Sequence, residues 1–464
     1  MKVLADPERV LVDGLAAIRK QYAVPRDFPA PVVVEADNAR SRLPTEHADW
    51  TDRAFATLDP CASTDLDQAF LLEPAGADLV LHYALADIGW FVPEGGALES
   101  EAWKRGVTLY LPDGKARLYP SALSEGAASL LPDGPRPAIV ASIRCSPEGA
   151  VVLDGMTRAI VRSCHKLGYE TTSVDEIPHL ADFSERMRRS EDARAAARVD
   201  PPEQAVERDE HGNLCLTFRP WLASEIANSR LSLAANMAMA AALLKAETGL
   251  FREMPLPDER AVHSLRNTAN GLGLVWPAAM SLAQFERSID GTTRAGACFQ
   301  LAVRRSTGRA QYLPFTAGHI PWHAALGATY THATAPMRRL ADRYVLEAAL
   351  DVANGRCVSP RCIRAFEELP AIMNTADARQ STVERAVIDL AEASLLMGRE
   401  GETFEATVTQ LDEKGARIQL RDLPVLARVD SDNAYAGQNL TVRLVVADPE
   451  RRELRFAAVN ASSG

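Results

Sequence analysis

Apolar positions recur with different periods along the 464 residues of the chain, and each change of period marks a change of element. Residues 1 to about 45 read as two short helices around the break Val24-Pro25-Arg26-Asp27-Phe28-Pro29-Ala30-Pro31. That pattern predicts a small helical, helix-turn-helix-like module, with a proline-stiffened strap as the alternative. From Ala54 to about Ser146, apolar runs such as 79–88 alternate with Gly/Pro turns and predict strands mixed with short helices. Residues 180–212 are charged and helix-prone up to the Pro201-Pro202 break and the Asp209-Glu-His-Gly212 turn. An Ala- and Met-rich helix is predicted over about 222–250, with Leu231, Ala234, Ala235, Ala238 and Ala242 at helical spacing. Its small side chains suit close packing, so it reads as a core helix with no part in chemistry. A further helix, about 377–397, carries Val383, Ala386, Val387, Leu390 and Met397 on one face and ends at Gly398 and Gly401.

Beyond Gly401 the period shortens to two. Five alternating runs follow: Phe404/Ala406/Val408, Ala416/Ile418/Leu420, Val425/Ala427/Val429, Leu440/Val442/Leu444/Val446 and Leu454/Phe456. Five short strands in about 60 residues match a small OB-type barrel, a fold that often holds single-stranded nucleic acid. Arg417, Arg421, Arg428 and Arg443 are candidates for its outer face. A generic small barrel is the alternative, because only Phe404, Tyr435 and Phe456 are aromatic.

Composition narrows the class without choosing a function. Apolar content of 47% and charged content of 24% are ordinary for a globular protein. No apolar run approaches the ~20 residues of a membrane span, and the N-terminus lacks a signal-peptide core, so a cytoplasmic protein without membrane contact is expected. Seven scattered cysteines fit reduced thiols. Cys357 and Cys362 have no second pair, and His319, His323 and His332 match no zinc motif well. A net charge of -11 argues against indiscriminate nucleic-acid binding. It leaves room for a locally basic channel, for which Arg304-Arg305 with Arg309, and Arg338-Arg339 with Arg343, are the clusters available. The mixed-sign run from Arg186 to Arg194 reads as a solvated helical face.

The chemistry concentrates in Asp59-Pro-Cys-Ala-Ser-Thr-Asp65-Leu-Asp67, flanked by the apolar runs Ala54–Leu58 and Phe70–Leu72. Carboxylates packed this densely need water, a cation or a basic group to screen them. Oxygen-rich clusters suit Mg²⁺ or Mn²⁺, which commonly serve phosphodiester chemistry. A surface loop with Asx-type turns is the competing reading.

Four stretches together resemble the ribonuclease II / ribonuclease R (RNB) family of exoribonucleases: Leu58 to Ala69; His82-Tyr-Ala-Leu-Ala-Asp87-Ile; Thr108-Leu-Tyr110-Leu-Pro112 with Leu118-Tyr-Pro120; and Tyr330-Thr-His332-Ala-Thr-Ala-Pro336-Met-Arg338-Arg339-Leu-Ala-Asp342. The resemblance implies an α+β protein: an RNB catalytic domain over 46–397, preceded by the helical module at 1–45 and followed by an S1-like OB barrel at 398–464. It implies Mg²⁺, with Mn²⁺ as a substitute, held as one or two ions by Asp59, Asp65, Asp67 and the position of Gln68. The resemblance also implies that Asp67 is the carboxylate least dispensable to chemistry and that Arg338 neutralises charge on the scissile phosphate. By the same resemblance Tyr110 is expected to stack on the terminal base; Arg339 and Arg230 are further candidates for RNA contact. The spacing of Arg339 to Asp342 also suits an ion pair along one helical turn. The implied reaction is hydrolysis of single-stranded RNA from a free 3′ end, one residue at a time, releasing nucleoside 5′-monophosphates. No protein partner is inferable.

Three departures accompany the resemblance. Gln68 stands where the family usually has a fourth aspartate, which removes charge from a second ion's site. Ser229-Arg230 replace an acidic pair, so Arg230 is expected to reach a phosphate instead. The two cold-shock barrels that usually precede the catalytic domain do not fit in about 45 residues, so RNA entry is organised differently and partly structured RNA is expected to be admitted. A catalytically weak RNA-binding protein that lost chemistry at Gln68 is the principal alternative. A phosphatase using Asp65 and Asp67 is disfavoured, because Cys61–Thr64 separates Asp65 from the strand end and no supporting Lys and acidic motifs follow.

Overall fold

The computed structural model describes residues 2–3, 10–196, 203–208, 214–219, 221–290, 293–306, 308–412, 415–430, 434–435 and 437–459. The N-terminal module consists of two helices, Val10–Gln21 and Ala30–Ala39, on either side of the proline-rich segment. Leu11, Leu15, Ile18, Val32 and Ala36 are buried, so the module belongs to the main core.

Strands Ala48–Asp59, Gln68–Ala75, Asp78–Ala86, Arg136–Cys145 and Val151–Gly168 close into a five-stranded barrel. The alternating residues Leu79, Leu81, Tyr83 and Leu85 are all buried, as a two-residue period requires. Ala84 and Ala86 on the other face are buried too, because helices cover part of the barrel. Parallel pairing of Ala48–Asp59 with Val151–Gly168, Leu58 opposite Leu167, closes the cylinder. The sequence predicted strands and short helices here, but not closure, which depends on two segments about 100 residues apart finding each other.

Helix-prone 180–212 is corrected in its second half. A helix spans Leu180–Ala193, but Glu203–Arg208 and Leu214–Arg219 are antiparallel strands, with Lys2–Val3 alongside. Burial of Cys215 and Leu216 within that small sheet outweighs the helical propensity of the charged residues. The Pro201-Pro202 break and the Asp209–Gly212 turn lie outside the described residues.

The predicted core helix runs Ala223–Lys245 and stops before Leu250. Gly249, at φ +115, turns the chain into a strand, Leu250–Glu253, which pairs with Gln311–Pro314. Between them lies a unit the sequence pattern did not announce. Its helices Glu259–Gly271, Leu282–Ser288 and Arg294–Ser306 enclose a separate core of Leu265, Phe285 and Phe299, with Trp276 stacked on Phe285.

After the helix Leu340–Ala353 comes a 37-residue helix, Pro360–Leu396, which starts well before the predicted 377. Ser359 caps it by accepting from the Cys362 N–H, and Pro360 fits its first turn. Pro370 sits inside and costs roughly 3 kcal/mol by removing a backbone donor. Burial of Cys362, Phe366, Leu369 and Met373 around it offsets that cost.

All five alternating runs after Gly401 form strands: Thr403–Asp412, Gly415–Leu420, Leu426–Asp430, Asn439–Asp448 and Glu453–Ala458. They close into a second barrel in the order one-two-three-five-four, filled by Val408, Ile418, Val429, Val442, Leu444 and Phe456. No helix among the described residues is long and apolar enough to cross a membrane.

Candidate active site

The aspartate loop is shaped by the one apolar residue inside it. Leu66 is fully buried. Its N–H donates to Ser129 Oγ at 2.9 Å, Ser129 Oγ donates to the Thr64 carbonyl at 2.7 Å, and the Leu130 N–H donates to the Leu66 carbonyl at 3.0 Å. With Leu66 plugged into the core, neighbouring Asp65 and Asp67 are left to face the other way. Asp59, at the end of its barrel strand, joins them. A cleft of about 440 Å³ is lined by Asp59, Asp65, Asp67, Gln68, Tyr110 and Arg338. Six of the eight residues picked from the sequence thus meet, though Arg338 lies 279 positions beyond Asp59 in the chain.

Asp67 is 6% exposed and is held by the segment that carries Arg338. Its Oδ1 accepts from the Met337 N–H at 2.7 Å, and its Oδ2 lies 3.3 Å from Arg338 Nε. Burial pushes the Asp67 carboxyl up to about 7, although Arg338 and the Met337 N–H pull it down. Burial likewise pushes Asp59 up to about 7, and the charge of Asp67 adds to that rise. Two carboxylates whose ionisation is penalised mainly by burial, beside an open cleft, are hard oxygen donors that a bound cation would stabilise. That donor set fits Mg²⁺ or Mn²⁺. Among the described residues, no three His, Cys, Asp or Glu side chains converge closely enough to hold a metal ion. Asp65 is turned elsewhere: its Oδ1 accepts from Lys115 Nζ at 2.5 Å, and its Oδ2 accepts from the Tyr110 hydroxyl at 3.3 Å.

Tyr110 and Lys115 come from one hairpin, Leu109–Leu111 with Gly114–Ala116, where they are cross-strand partners. The Tyr110 ring is 45% exposed, presented to the cleft and not packed in the core. Gln68 has both polar ends engaged inside the protein. Its amide donates to the Thr334 carbonyl at 2.7 Å, and its Oε1 accepts from the buried Tyr83 hydroxyl.

Arg339 and Arg230 lie apart from this group. Arg339 makes a two-pronged ion pair with fully buried Asp342, at 2.9 and 2.6 Å. Asp342 also accepts from the Ala335 N–H, so the pair braces the turn that aims Arg338. Arg230 turns toward the helix Leu180–Ala193, where it binds Ser184 Oγ at 2.9 Å and Glu191 at 3.2 Å. The expected phosphate contact from Arg230 therefore meets a side chain already paired with an acid, because helical geometry points it a full face away from Asn228.

Asn228 itself lines the cleft, as do Tyr169 and Lys115, none of which the sequence pattern singled out. Lys115 was legible in part, since the two-residue turn Pro112-Asp113 after the run Leu109–Leu111 sets it opposite Tyr110. Asn228 corrects the reading of its helix as purely structural. Further along, Asn236 is buried and holds the Arg338 segment: its Oδ1 accepts from the Ala333 N–H at 2.9 Å, and its Nδ2 donates to Tyr330 Oη and Thr334 Oγ1. The three histidines scatter into separate roles. His319 contacts Glu253, His323 meets Tyr330 edge-to-face, and His332 bonds to Tyr312.

The RNB domain matches residues 47–352, and the RNase II-type exonuclease C-terminal S1 domain matches residues 402–459. The chain is 24% identical to Ribonuclease R of Aquifex aeolicus over 513 aligned positions, covering 99% of this chain and 72% of that protein. Mycoplasma genitalium RNase R, solved with ribose-methylated single-stranded RNA, superposes with a TM-score of 0.86 at 19% identity over 99% of this chain and 79% of its own. Yeast Ssd1, described as a pseudonuclease, shares the fold at a TM-score of 0.68 and 16% identity, over 92% of this chain and 56% of its own. With the catalytic-domain match spanning well over half its length and the S1 match following it, the chain belongs to the RNB family of RNase II-type exoribonucleases.

Proposed function

We propose that this protein degrades single-stranded RNA from its 3′ end, with Mg²⁺ or Mn²⁺ at Asp59 and Asp67, and releases nucleoside 5′-monophosphates. The observation that carries the reading is the convergence of Asp59, Asp67, Arg338 and exposed Tyr110 on one cleft. A bound divalent ion there would supply an activated water and charge stabilisation at the scissile phosphate. The chain's own residues do the rest. Arg338, anchored on Asp67, offers a rigid fork of donors to the phosphate as charge builds on its oxygens. Tyr110 presents a ring face on which the terminal base stacks. Arg339 acts through its pair with Asp342, as a brace behind Arg338. Residues 1–45, 46–397 and 398–464 serve as entry module, catalytic domain and RNA-holding barrel in a cytoplasmic enzyme.

One observation favours the alternative of a catalytically weak RNA-binding protein: Gln68 is locked to Thr334 and Tyr83 and adds no charge to the cleft. The deciding experiment is digestion of 5′- and 3′-labelled single-stranded RNA in Mg²⁺, with an EDTA control and an Asp67→Asn variant. Immediate release of mononucleotides from the 3′ label, abolished by EDTA and by D67N with RNA binding retained, is expected. Intact RNA that still shifts on a gel would establish the binding protein instead.

A further inference from the structure

Lys115 is a cation inside the carboxylate cleft that the aspartate pattern gave no reason to expect. It is a quarter exposed and sits on Asp65 at 2.5 Å. Its next acidic neighbour, Glu125, is 3.9 Å away and is itself bound by Arg117 at 2.8 Å. The hydroxyl of Tyr110, from the same hairpin, takes the other oxygen of Asp65. One two-stranded turn therefore engages both oxygens of that carboxylate. On the opposite side Gln68, neutral and bonded at both ends, offers no charge to a metal. Asp67 is also held at both oxygens, by the Met337 N–H and by Arg338 Nε at 3.3 Å, but Asp65 carries an ammonium at the shorter contact of 2.5 Å, which leaves Asp59 and Asp67 as the carboxylates for a divalent ion.

We propose that Lys115 takes the place of a second divalent cation at Asp65, so that the cleft holds one Mg²⁺ or Mn²⁺ and not two. The inference rests on the metal-dependent reading above for the presence of any ion. Charge counting supports it. Three lining carboxylates against Lys115 and Arg338 leave one net negative charge, which a single divalent ion already reverses to one positive. A second ion would raise the net to three positive, and it would have to approach Asp65 against an ammonium at contact distance. Mg²⁺ is satisfied by one or two carboxylates with water completing its shell, so Asp59 and Asp67 suffice for one ion. In two-ion phosphodiesterase sites the second cation meets charge developing on the leaving side of the phosphate. The ammonium of Lys115 is one cross-strand step from Tyr110 and 5.5 Å from the centre of its ring, so it supplies a fixed positive charge within the same cleft.

The test counts Mn²⁺ bound to the RNA-free protein by electron paramagnetic resonance, which needs no activity. One equivalent is expected for the wild type, two for Lys115→Met, and one for Lys115→Arg, which keeps the charge. Lys115 is on a surface hairpin, so these variants are expected to fold; should K115M not, Lys115→Gln removes the charge with a polar head kept and is counted the same way. Two equivalents in the wild type, or one in the charge-removing variant, overturns the inference and leaves the exoribonuclease reading standing. No Mn²⁺ bound by the wild type removes the metal-dependent reading itself.

Discussion

Asn236→Ala tests whether the long helix Ala223–Lys245 positions Arg338 from a distance. Asn236 is 1% exposed and ties three residues of the segment that ends at Arg338. Truncation leaves the buried Ala333 N–H without its acceptor, which costs about 1–3 kcal/mol. Thr334 Oγ1 keeps its bond from Ser232 Oγ at 2.8 Å, so its loss is smaller. The cavity left by the amide adds about 1 kcal/mol. The sum is a destabilisation of about 2–4 kcal/mol, read as a lower urea midpoint at unchanged slope. The same segment delivers the Met337 N–H to Asp67 and Arg338 to the cleft, and a displacement of about 1 Å there costs on the order of 100-fold in rate. Single-turnover digestion of a short RNA should therefore slow by 10- to 100-fold, with RNA affinity within about threefold of wild type. Stability within about 0.5 kcal/mol of wild type together with an unchanged rate would refute the claim that Asn236 holds the segment.

Glu392 ties the 37-residue helix to the second barrel, accepting from the Leu426 N–H at 2.7 Å and from Gln204. Burial pushes its carboxyl up to about 7, so the fold favours the protonated form. That stabilisation is complete below the unfolded carboxyl's pKa near 4.5 and is lost as pH rises through about 7. Thermal melts across pH 4–8 should show Glu392→Gln flatter and more stable at pH 8, by on the order of 3 kcal/mol; parallel curves would rule this out. Tyr110→Ala removes the stacking contact proposed for the terminal base, worth about 1–3 kcal/mol, and should lengthen the final undigested fragment on a sequencing gel, whereas an identical fragment would place the stop elsewhere. Arg338→Lys keeps the charge but loses the fork, and turnover should fall about 100-fold; full activity would show that charge alone serves. If the N-terminal module leaves the entrance open, hairpins with short 3′ overhangs should be digested into the stem, and stalling well before every stem would count against it.

The sequence by itself determined the elements whose signal is local. Alternation after Gly401 specified all five strands of the second barrel, because a period of two on a half-buried strand is written residue by residue. The crowding of Asp59, Asp65 and Asp67 announced a cation-seeking loop for the same reason, and the order of four motifs pointed to the family. Tertiary structure decided the rest. Nothing near Gln68 in the chain shows that its amide would be claimed by Thr334, 266 positions away, or that Lys115 would settle on Asp65. Arg230 looked free to meet a phosphate until the fold set Glu191 beside it. Nothing in the packing helix singled out Asn228 or Asn236 until the fold set Tyr169 and the cleft beside the first and the Arg338 segment against the second. The physical reason is common to all of these. Periodicity and turn chemistry act over a few residues, whereas a charge or amide finds its partner through space, and the partner exists only once distant segments have packed.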